Sequence, residues 1–132
     1  DSSESRGLGD VYKRQDYDGA DKIKTSLQEK VYFDFDKSAL SDSTKEVLSK
    51  YVEESKKASI IRLEGHCDER GTREYNLALG EKRAIEVKNY LIIQGVPSSK
   101  IKIISYGEEK PISFGSTEDD WKQNRRVEIA LF

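Results

Sequence analysis

GHCDERGTREYNLALGEKRA, residues 65–84, is the stretch that decides the expected fold and the expected site of this protein. It places the only His of the chain beside its only Cys, continues through an acidic loop containing Gly, and enters a helical pattern. The helical pattern has apolar or small residues at spacings of three and four, which is typical of a helix with one buried stripe. The stripe consists of Leu77, Gly80, Ala84, Val87 and Leu91. The stretch therefore predicts the end of a strand, a turn and the beginning of a long helix.

The rest of the chain shows the same alternation of strand and helix patterns. Strands are predicted over residues 31–35, 58–68, 100–107 and 125–132, and helices over residues 41–57, 74–95 and 117–124. Ser43 and Glu46 have the spacing of a capping box, and Thr117 is a candidate N-cap of the last helix. Since each long helix has one apolar stripe, the predicted fold class is α/β (α+β). It is a two-layer sandwich: a mixed four-stranded sheet with two main helices on one face, plus a short helix.

The beginning of the chain differs in character from the rest. Residues 1–29 are polar, contain several Gly and have no sustained periodicity, so we expect a flexible leader or linker there. The first fifteen or so are expected to be linker, leader remnant or sequence foreign to the natural protein. Ile23 and Leu27 are expected to add a short helical turn before the domain, which is predicted to occupy residues 30–132.

The composition excludes several classes of protein. Of 132 residues, 36% are charged and 35% hydrophobic, and the formal net charge is −2, which argues against nucleic acid or anionic lipid as a partner. No apolar run approaches the ~20 residues that a membrane-spanning helix needs. A single Cys cannot form an internal disulfide, so cysteine usage leaves the compartment open.

The row His66, Cys67, Asp68, Glu69 suggests a metal site or a catalytic nucleophile at first sight. On a strand, however, His66 and Asp68 point to one face and Cys67 to the other, so the row cannot act as one site. With no second His or Cys in the chain, we expect no metal and no Cys–His nucleophile. Glu64, Asp68 and Glu69 could form a carboxylate pair for glycoside hydrolysis, but nothing in the sequence arranges a second acid at a defined distance, so we expect no cofactor and no enzymatic activity. His66 is expected on the open face of the sheet, and Cys67 facing the helices.

A charged clamp for a ligand agrees better with the spacing. Asn76, Leu79 and Arg83 lie one residue off the apolar stripe, rotated by about 100° around the helix. Arg83 can therefore face a cleft together with Asp68, and such a pair suits a ligand that carries both an amine and a carboxylate. Gly71 allows the loop to bend sharply, and the helix N-terminus offers N–H groups for a second carboxylate. An ordinary Asp–Arg salt bridge between loop and helix explains the same spacing equally well.

Five segments in consistent order resemble the OmpA-like peptidoglycan-binding domain and, within that family, its lipoproteins. They are VYFDFDKSAL (31–40), LEGHCDERGTREYNLALGEKRA (63–84), YLIIQGV (90–96), SYGEEKP (105–111) and NRRVEI (124–129). The resemblance implies a fold like the C-terminal domain of OmpA. It also implies a periplasmic, non-enzymatic domain that binds the peptidoglycan stem peptide at its meso-diaminopimelate residue and tethers the outer membrane to the cell wall.

The resemblance also implies the residues of the site. Asp68 and Arg83 are expected to grip the free amino-acid end of diaminopimelate. Supporting contacts are expected from Phe35, Asp36, Gly71, Thr72, Asn76, Leu79 and Arg125. Phe35 would shape the cleft floor, and Asn76 would hydrogen-bond the loop or the peptide. Arg125 is expected to pair with acidic groups near the cleft, and its neighbour Arg126 to be structural.

Family membership further implies an acylated N-terminal Cys in the outer membrane and the periplasmic β-propeller protein TolB as a partner. The acylated Cys is absent from these 132 residues, so the anchor is expected only of a longer parent protein. Cys67 stands where the family commonly has Ala, a change between small residues that should leave the clamp intact. We expect a monomer. The alternative function is a protein-interaction module whose main ligand is TolB.

Overall fold

A computed structural model describes residues 27–132. The strands are β1 (Leu27–Tyr32), β2 (Ile61–His66), β3 (Ile101–Gly107) and β4 (Arg126–Leu131). The helices are α1 (Asp42–Ser49), α2 (Val52–Lys57), α3 (Arg73–Ile93) and α4 (Glu118–Asn124), with a 3₁₀ turn at Ser98–Lys100. The sheet order is β1-β4-β2-β3; β4 is antiparallel to both neighbours, and β2 is parallel to β3. The predicted mixed four-stranded sheet and the two-layer α/β fold are confirmed.

The hydrophobic core lies between the sheet and the helices. Side chains of β2 alternate between its faces, so Ile61 and Leu63 are fully buried while Arg62 and Glu64 are partly exposed. Leu48 of α1 and Ala84, Val87 and Leu91 of α3 pack in the same core. Each large aliphatic side chain buried in this way stabilises the fold by about 1.5–3 kcal/mol. No helix within residues 27–132 is both long and apolar enough to cross a membrane.

Two glycines of the opening motif allow α3 to lie very close to the end of β2. A Cβ at Gly65 would lie 1.8 Å from the carbonyl oxygen of Gly80, which no side chain can occupy. A Cβ at Gly80 would lie 3.0 Å from the carbonyl oxygen of Gly65. This contact brings the first turns of α3 beside the loop that follows β2, where Asp68 lies.

The first strand begins earlier and ends earlier than predicted. The prediction was 31–35, whereas β1 spans Leu27–Tyr32 and pairs along its whole length with β4. Leu27 is therefore in a strand and not in a helical turn; Ile23 lies outside the described residues. The alternating sequence VYFDFD suggested a strand through residue 35, but its partner β4 begins at Arg126, opposite Tyr32.

The first predicted helix is two helices. Residues 41–57 form α1 and α2, and the chain leaves helical geometry at Tyr51, whose ψ is 7°. The N-cap of α1 is Ser41, whose Oγ accepts a hydrogen bond from the Thr44 N–H at 3.1 Å, so the predicted capping box of Ser43 and Glu46 is wrong. The N-cap of α4 is Thr117, as predicted, and it forms a capping box with Asp120.

The second strand ends at His66, two residues before the predicted end. The register between β2 and β3 shifts between Gly65 and His66, so the alternation of faces stops before Asp68. His66 was expected on an open face, but its side chain is only 1% exposed and stacks on Tyr106, with ring centroids 5.5 Å apart. The face opposite the helices is thus covered at this point. Cys67 is buried and its Sγ lies 3.2 Å from the Asn76 carbonyl, on the helix side as predicted.

Candidate functional site

A cleft of about 200 Å³ lies where the segments after β1 and β2 meet the first turns of α3. Its walls carry carboxylates, guanidinium groups and aromatic rings together. The lining residues are Phe35, Asp36, Cys67, Asp68, Arg70, Gly71, Tyr75, Asn76, Leu79 and Arg83. Seven of these ten belong to the predicted site, which has nine members, so the tertiary structure brings most of that site together. Thr72 and Arg125 are the two predicted members that do not line the cleft.

The loop between β2 and α3 is held in a fixed shape. Gly71 has a φ of 99°, in the left-handed region that favours glycine. Thr72 is the N-cap of α3, and its Oγ1 accepts a hydrogen bond from the Tyr75 N–H at 3.1 Å. Asn76 donates through Nδ2 to the carbonyl of Arg70 at 3.0 Å and to Glu108 at 2.6 Å. Asn76 thus bonds the loop, one of its two predicted roles.

Asp68 lies at the centre of a cluster of cations. Its Oδ1 accepts hydrogen bonds from the backbone N–H and Nε of Arg70, at 3.0 and 3.2 Å, and its Oδ2 accepts from Nη2 of Arg70 at 3.0 Å. Nη1 of Arg125 lies 3.6 Å from the same Oδ2. The carboxylate is only 4% exposed, so these contacts form in a region of reduced solvent screening.

Arg83 is completely buried and bonded mainly to the backbone. Its Nε donates to the Lys37 carbonyl at 2.8 Å, Nη2 to the Asp34 carbonyl at 3.0 Å, and Nη1 to the His66 carbonyl at 2.9 Å. Burial lowers the pKa of Arg83, but a guanidinium stays charged at neutral pH. Within residues 27–132, Asp68 pairs with Arg70 and Arg125 and not with Arg83. The simple Asp68–Arg83 salt bridge that the spacing allowed is therefore not formed.

The segment that carries Phe35 and Asp36 forms the opposite wall of the cleft. Arg83 fixes this segment from the buried side, because it donates to the carbonyls of Asp34 and Lys37, which flank Phe35 and Asp36. Asp36 has a φ of 56°, unusual for a residue other than glycine. The Tyr75 hydroxyl donates to the Asp36 carboxylate across the cleft mouth, and this bond raises the pKa of Tyr75. Tyr75 was missed in the sequence because its role depends on a residue 39 positions away.

Arg70 was also missed, although it lies in the middle of the opening motif. Its guanidinium carbon lies 3.9 Å from the ring centroid of Phe35 and 3.9 Å from that of Trp121. The guanidinium is thus held between two aromatic rings while it bonds Asp68. Neither ring is near Arg70 in sequence, so no local pattern could have indicated this arrangement.

The side chains of Arg125 and Arg126, where β4 begins, lie in different environments. Arg125 donates through Nε to the Phe33 carbonyl at 2.8 Å and pairs with Glu118 at 2.8 Å, besides its contact with Asp68. Arg126 lies on the other face of the sheet and pairs with Glu128 at 2.6 Å. Arg125, as expected, lies beside an acidic group of the cleft, the carboxylate of Asp68, whereas Arg126 does not.

A second titratable cluster lies on the sheet face away from the helices. Ligand atoms of Glu64, His66 and Glu128 lie within 4.8 Å of one another, the one such group among the described residues. Arg62 pairs with Glu64 at 3.1 Å and Arg126 with Glu128, so each carboxylate already has a cationic partner. A divalent cation would add charge to a balanced set, which makes the cluster a poor metal site.

The fold and the cleft define a two-layer α/β domain with a charged pocket at the carboxyl ends of β1 and β2. The family model of the OmpA family matches residues 32–125. The chain is 46% identical over 99 residues to a peptidoglycan-associated lipoprotein of Pseudomonas putida, covering 74% of this chain and 60% of that protein. It is 40% identical over 108 residues to the protein of the same name from Brucella melitensis, covering 80% of this chain and 64% of that one. The chain belongs to the OmpA family.

Solved structures agree with this assignment. The peptidoglycan-associated lipoprotein of Burkholderia pseudomallei superposes with a TM-score of 0.75 at 40% identity, covering 78% of this chain and 89% of that one. The C-terminal domain of Helicobacter pylori MotB superposes with a TM-score of 0.70 at 23% identity, covering 76% and 81%, which shows a shared fold. The chain spans about 60% of the length of the Pseudomonas relatives it matches.

Proposed function

We propose that this chain binds peptidoglycan non-covalently, at the meso-diaminopimelate residue of the stem peptide, and catalyses no reaction. In the parent protein it would tether the outer membrane to the cell wall from the periplasm, as a monomer and as part of the Tol-Pal system, through a lipid anchor outside these residues. The names of its relatives support association with peptidoglycan. The observation that carries the proposal is the cleft, where the Asp68 carboxylate and two guanidinium groups meet in one partly enclosed space.

The chemistry of the cleft matches an amino-acid head group. The ammonium of the ligand would donate hydrogen bonds to the Asp68 carboxylate, and guanidinium N–H groups would donate hydrogen bonds to the carboxylate of the ligand. Pockets for drug-sized ligands occupy about 300–1,000 Å³, so a cleft of about 200 Å³ suits a smaller group such as one end of diaminopimelate. Phe35, which is 53% exposed, and Tyr75, which is 51% exposed, would contact the aliphatic chain of the residue at the cleft mouth.

The test is a titration of the chain with a diaminopimelate-bearing stem peptide and with its lysine-bearing counterpart. We expect binding of the first and weak or no binding of the second, since lysine lacks the second amino-acid head. Asp68→Asn, which keeps the shape of the side chain, should abolish binding to the peptide and sedimentation with purified cell-wall sacculi. Asp119→Asn, on a side chain that is 84% exposed, is the matched control and should bind normally. Equal binding by Asp68→Asn and the parent chain would refute the assignment of the clamp.

A protein ligand of the TolB type is the second candidate, favoured by exposed apolar residues near the cleft. Phe114 is 83% exposed and Ile112 is 40% exposed, in a loop joined to the cleft loop by a hydrogen bond between Ser116 and Glu69 at 2.7 Å. Aromatic residues such as Phe114 are enriched at protein-binding surfaces relative to the rest of the surface. A TolB pull-down in the presence of soluble diaminopimelate peptide would show whether the two ligands share a surface. If the chain does not capture TolB, this second candidate function is refuted.

A further inference from the structure

We infer that the outer edge of β1 is a docking site for an extended, acidic segment of a partner protein, which binds there as an additional strand of the sheet. The site is a groove of about 540 Å³ between β1 and the first turns of α1. We call it the edge groove, and its apolar lining consists of Val31, Phe33 and Val47. The edge groove shares no lining residue with the cleft beside Asp68, so the inference does not rest on the proposed function of that cleft.

β1 lies at the edge of the sheet, and within residues 27–132 it pairs with β4 alone. In an antiparallel pair, the backbone groups of alternate residues point toward the partner strand, and those of the residues between them point away from it. The N–H of Phe33, which follows β1, donates to the Arg125 carbonyl at 2.9 Å, so the odd-numbered residues of β1 face β4. The N–H and C=O groups of Gln28, Lys30 and Tyr32 therefore point to the outer edge.

The hydrogen bonds that these edge groups form in the described part of the chain are ones that an incoming strand can replace. The Lys30 N–H donates to Oε1 of the adjacent Glu29 at 3.1 Å. The Tyr32 carbonyl accepts from the Thr44 hydroxyl at 3.4 Å, which is longer than most hydrogen bonds from a hydroxyl. When an extended peptide adds to the edge of a sheet, main-chain hydrogen bonds of this kind supply the affinity.

The edge groove lies where alternate side chains of an added strand would be. Val31 and Phe33 point to the core side of the sheet and are buried, whereas Val47 of α1 is only partly buried. Successive side chains of a strand point to opposite faces of its sheet, so every second side chain of the added strand would lie on the α1 side. An apolar side chain at that position would cover Val47, and the groove therefore favours a segment with apolar residues at alternate positions.

The charges around the edge groove favour an acidic segment. Its charged lining residues are Lys30, Lys122, Arg125 and Asp34, so cations predominate there although the whole chain has a formal net charge of −2. Lys122 and Arg125 already pair with carboxylates, whereas Lys30 is exposed and forms no ion pair within residues 27–132. A carboxylate of the partner beside Lys30 would supply that pair, and charge complementarity of this kind discriminates between partners.

A second copy of this chain fits the edge poorly. If two β1 strands paired antiparallel across their outer edges, the hydrogen bonds would join Gln28, Lys30 and Tyr32 of the two copies. The two registers that pair most of β1 place either Lys30 opposite Lys30 or Glu29 opposite Glu29. Like charges directly opposite each other destabilise a pair of strands. The sequence of β1 therefore favours a different protein over a second copy as the occupant of this edge.

The experiment is an NMR titration of the full chain with three short synthetic peptides. The first alternates glutamate and valine, the second alternates lysine and valine, and the third is the first peptide N-methylated at every backbone nitrogen, which removes its main-chain donors. With the first peptide, the amide signals of Gln28, Lys30 and Tyr32 should shift, whereas those of Gly71 and Tyr75 in the cleft should not. The other two peptides should bind roughly tenfold more weakly, because one has the wrong charge and the other lacks the strand hydrogen bonds.

Two variants separate the contribution of the backbone from that of the charge. Lys30→Pro removes the edge N–H without removing a bond to β4, and its ring would obstruct the incoming strand. Lys30→Ala is the matched control, because it keeps the N–H and removes only the charge. Lys30→Ala should weaken binding of the first peptide about two- to fivefold, and Lys30→Pro should weaken it by roughly tenfold or more.

Three results would overturn the inference. The first is that the acidic peptide shifts no amide of β1, or shifts only those of the cleft. The second is that the N-methylated peptide binds as tightly as the unmodified one, a comparison that holds even if Lys30→Pro does not fold. The third is that the Lys30 amide shifts with protein concentration in the absence of peptide, which would place a second copy at this edge.

Discussion

Replacing Arg83 by Lys should destabilise the domain strongly, although the charge is kept. The three nitrogens of Arg83 bond the carbonyls of Asp34, Lys37 and His66, at 2.8 to 3.0 Å. A lysine ammonium can reach at most one of them, so two carbonyls would lose their partner. Each unsatisfied buried group costs about 1–3 kcal/mol, and partial access of water to these carbonyls favours the lower part of that range.

The expected loss is therefore about 2–4 kcal/mol, a large part of the 5–15 kcal/mol by which typical domains are stable. Urea unfolding followed by the fluorescence of Trp121, the only Trp of the chain, measures it directly. Arg73→Lys, on an exposed side chain, should change the free energy of unfolding by no more than about 0.5 kcal/mol. If Arg83→Lys unfolds at the same urea concentration as this control, the structural role assigned to Arg83 is wrong. Any loss of ligand by Arg83 variants must be measured under conditions where they are folded.

Two further predictions concern the two faces of the sheet. Burial lowers the pKa of the His66 imidazole below 6.5. As the pH falls, the unfolded chain therefore takes up a proton near pH 6.5, whereas the folded chain takes it up only at lower pH. The free energy of unfolding should consequently decrease as the pH falls below 6.5. Because the chain has one His, its ring protons in an NMR titration report this pKa alone, and titration at or above 6.5 would contradict the reasoning. Gly65→Ala would place a Cβ 1.8 Å from the Gly80 carbonyl oxygen and force α3 away from the sheet, at a cost of about 1–3 kcal/mol or more. Thermal unfolding measures this loss against the exposed control Ser59→Ala, and equal midpoints for the two variants would show that the close contact is not needed.

The elements that the sequence predicted well are those specified by local pattern. The helix predicted over 74–95 spans Arg73–Ile93, because its stripe repeats over several turns. Thr117 was found as an N-cap because the capping bond joins residues three apart. The beginning of β1 was missed, since Leu27 is in a strand only through its pairing with Leu131, at the other end of the chain.

In the candidate site, too, local pattern predicted some features and contacts between distant residues decided the others. The motif of residues 65–84 indicated Asp68, Gly71, Asn76 and Arg83 as neighbours, since a strand, a tight turn and a helix leave few arrangements for them. That reasoning could not show which cation would pair with Asp68, because several arginines were within reach and side-chain partners depend on the surrounding walls.

The amino-acid sequence by itself determined the order of strands and helices, the two-layer fold and the identity of the acid at the cleft. The periodicity of apolar residues and the residue preferences of turns depend on neighbours in the sequence, so one sequence is enough to identify them. Only the tertiary structure decided that Arg83 is buried against backbone carbonyls while Arg70 remains at the surface between Phe35 and Trp121. The physical reason is that these environments are made by residues distant in the chain: the rings of Phe35 and Trp121 are 35 and 51 positions from Arg70, and the carbonyls of Asp34 and Lys37 are 49 and 46 positions from Arg83. They meet only when the sheet and helices have assembled.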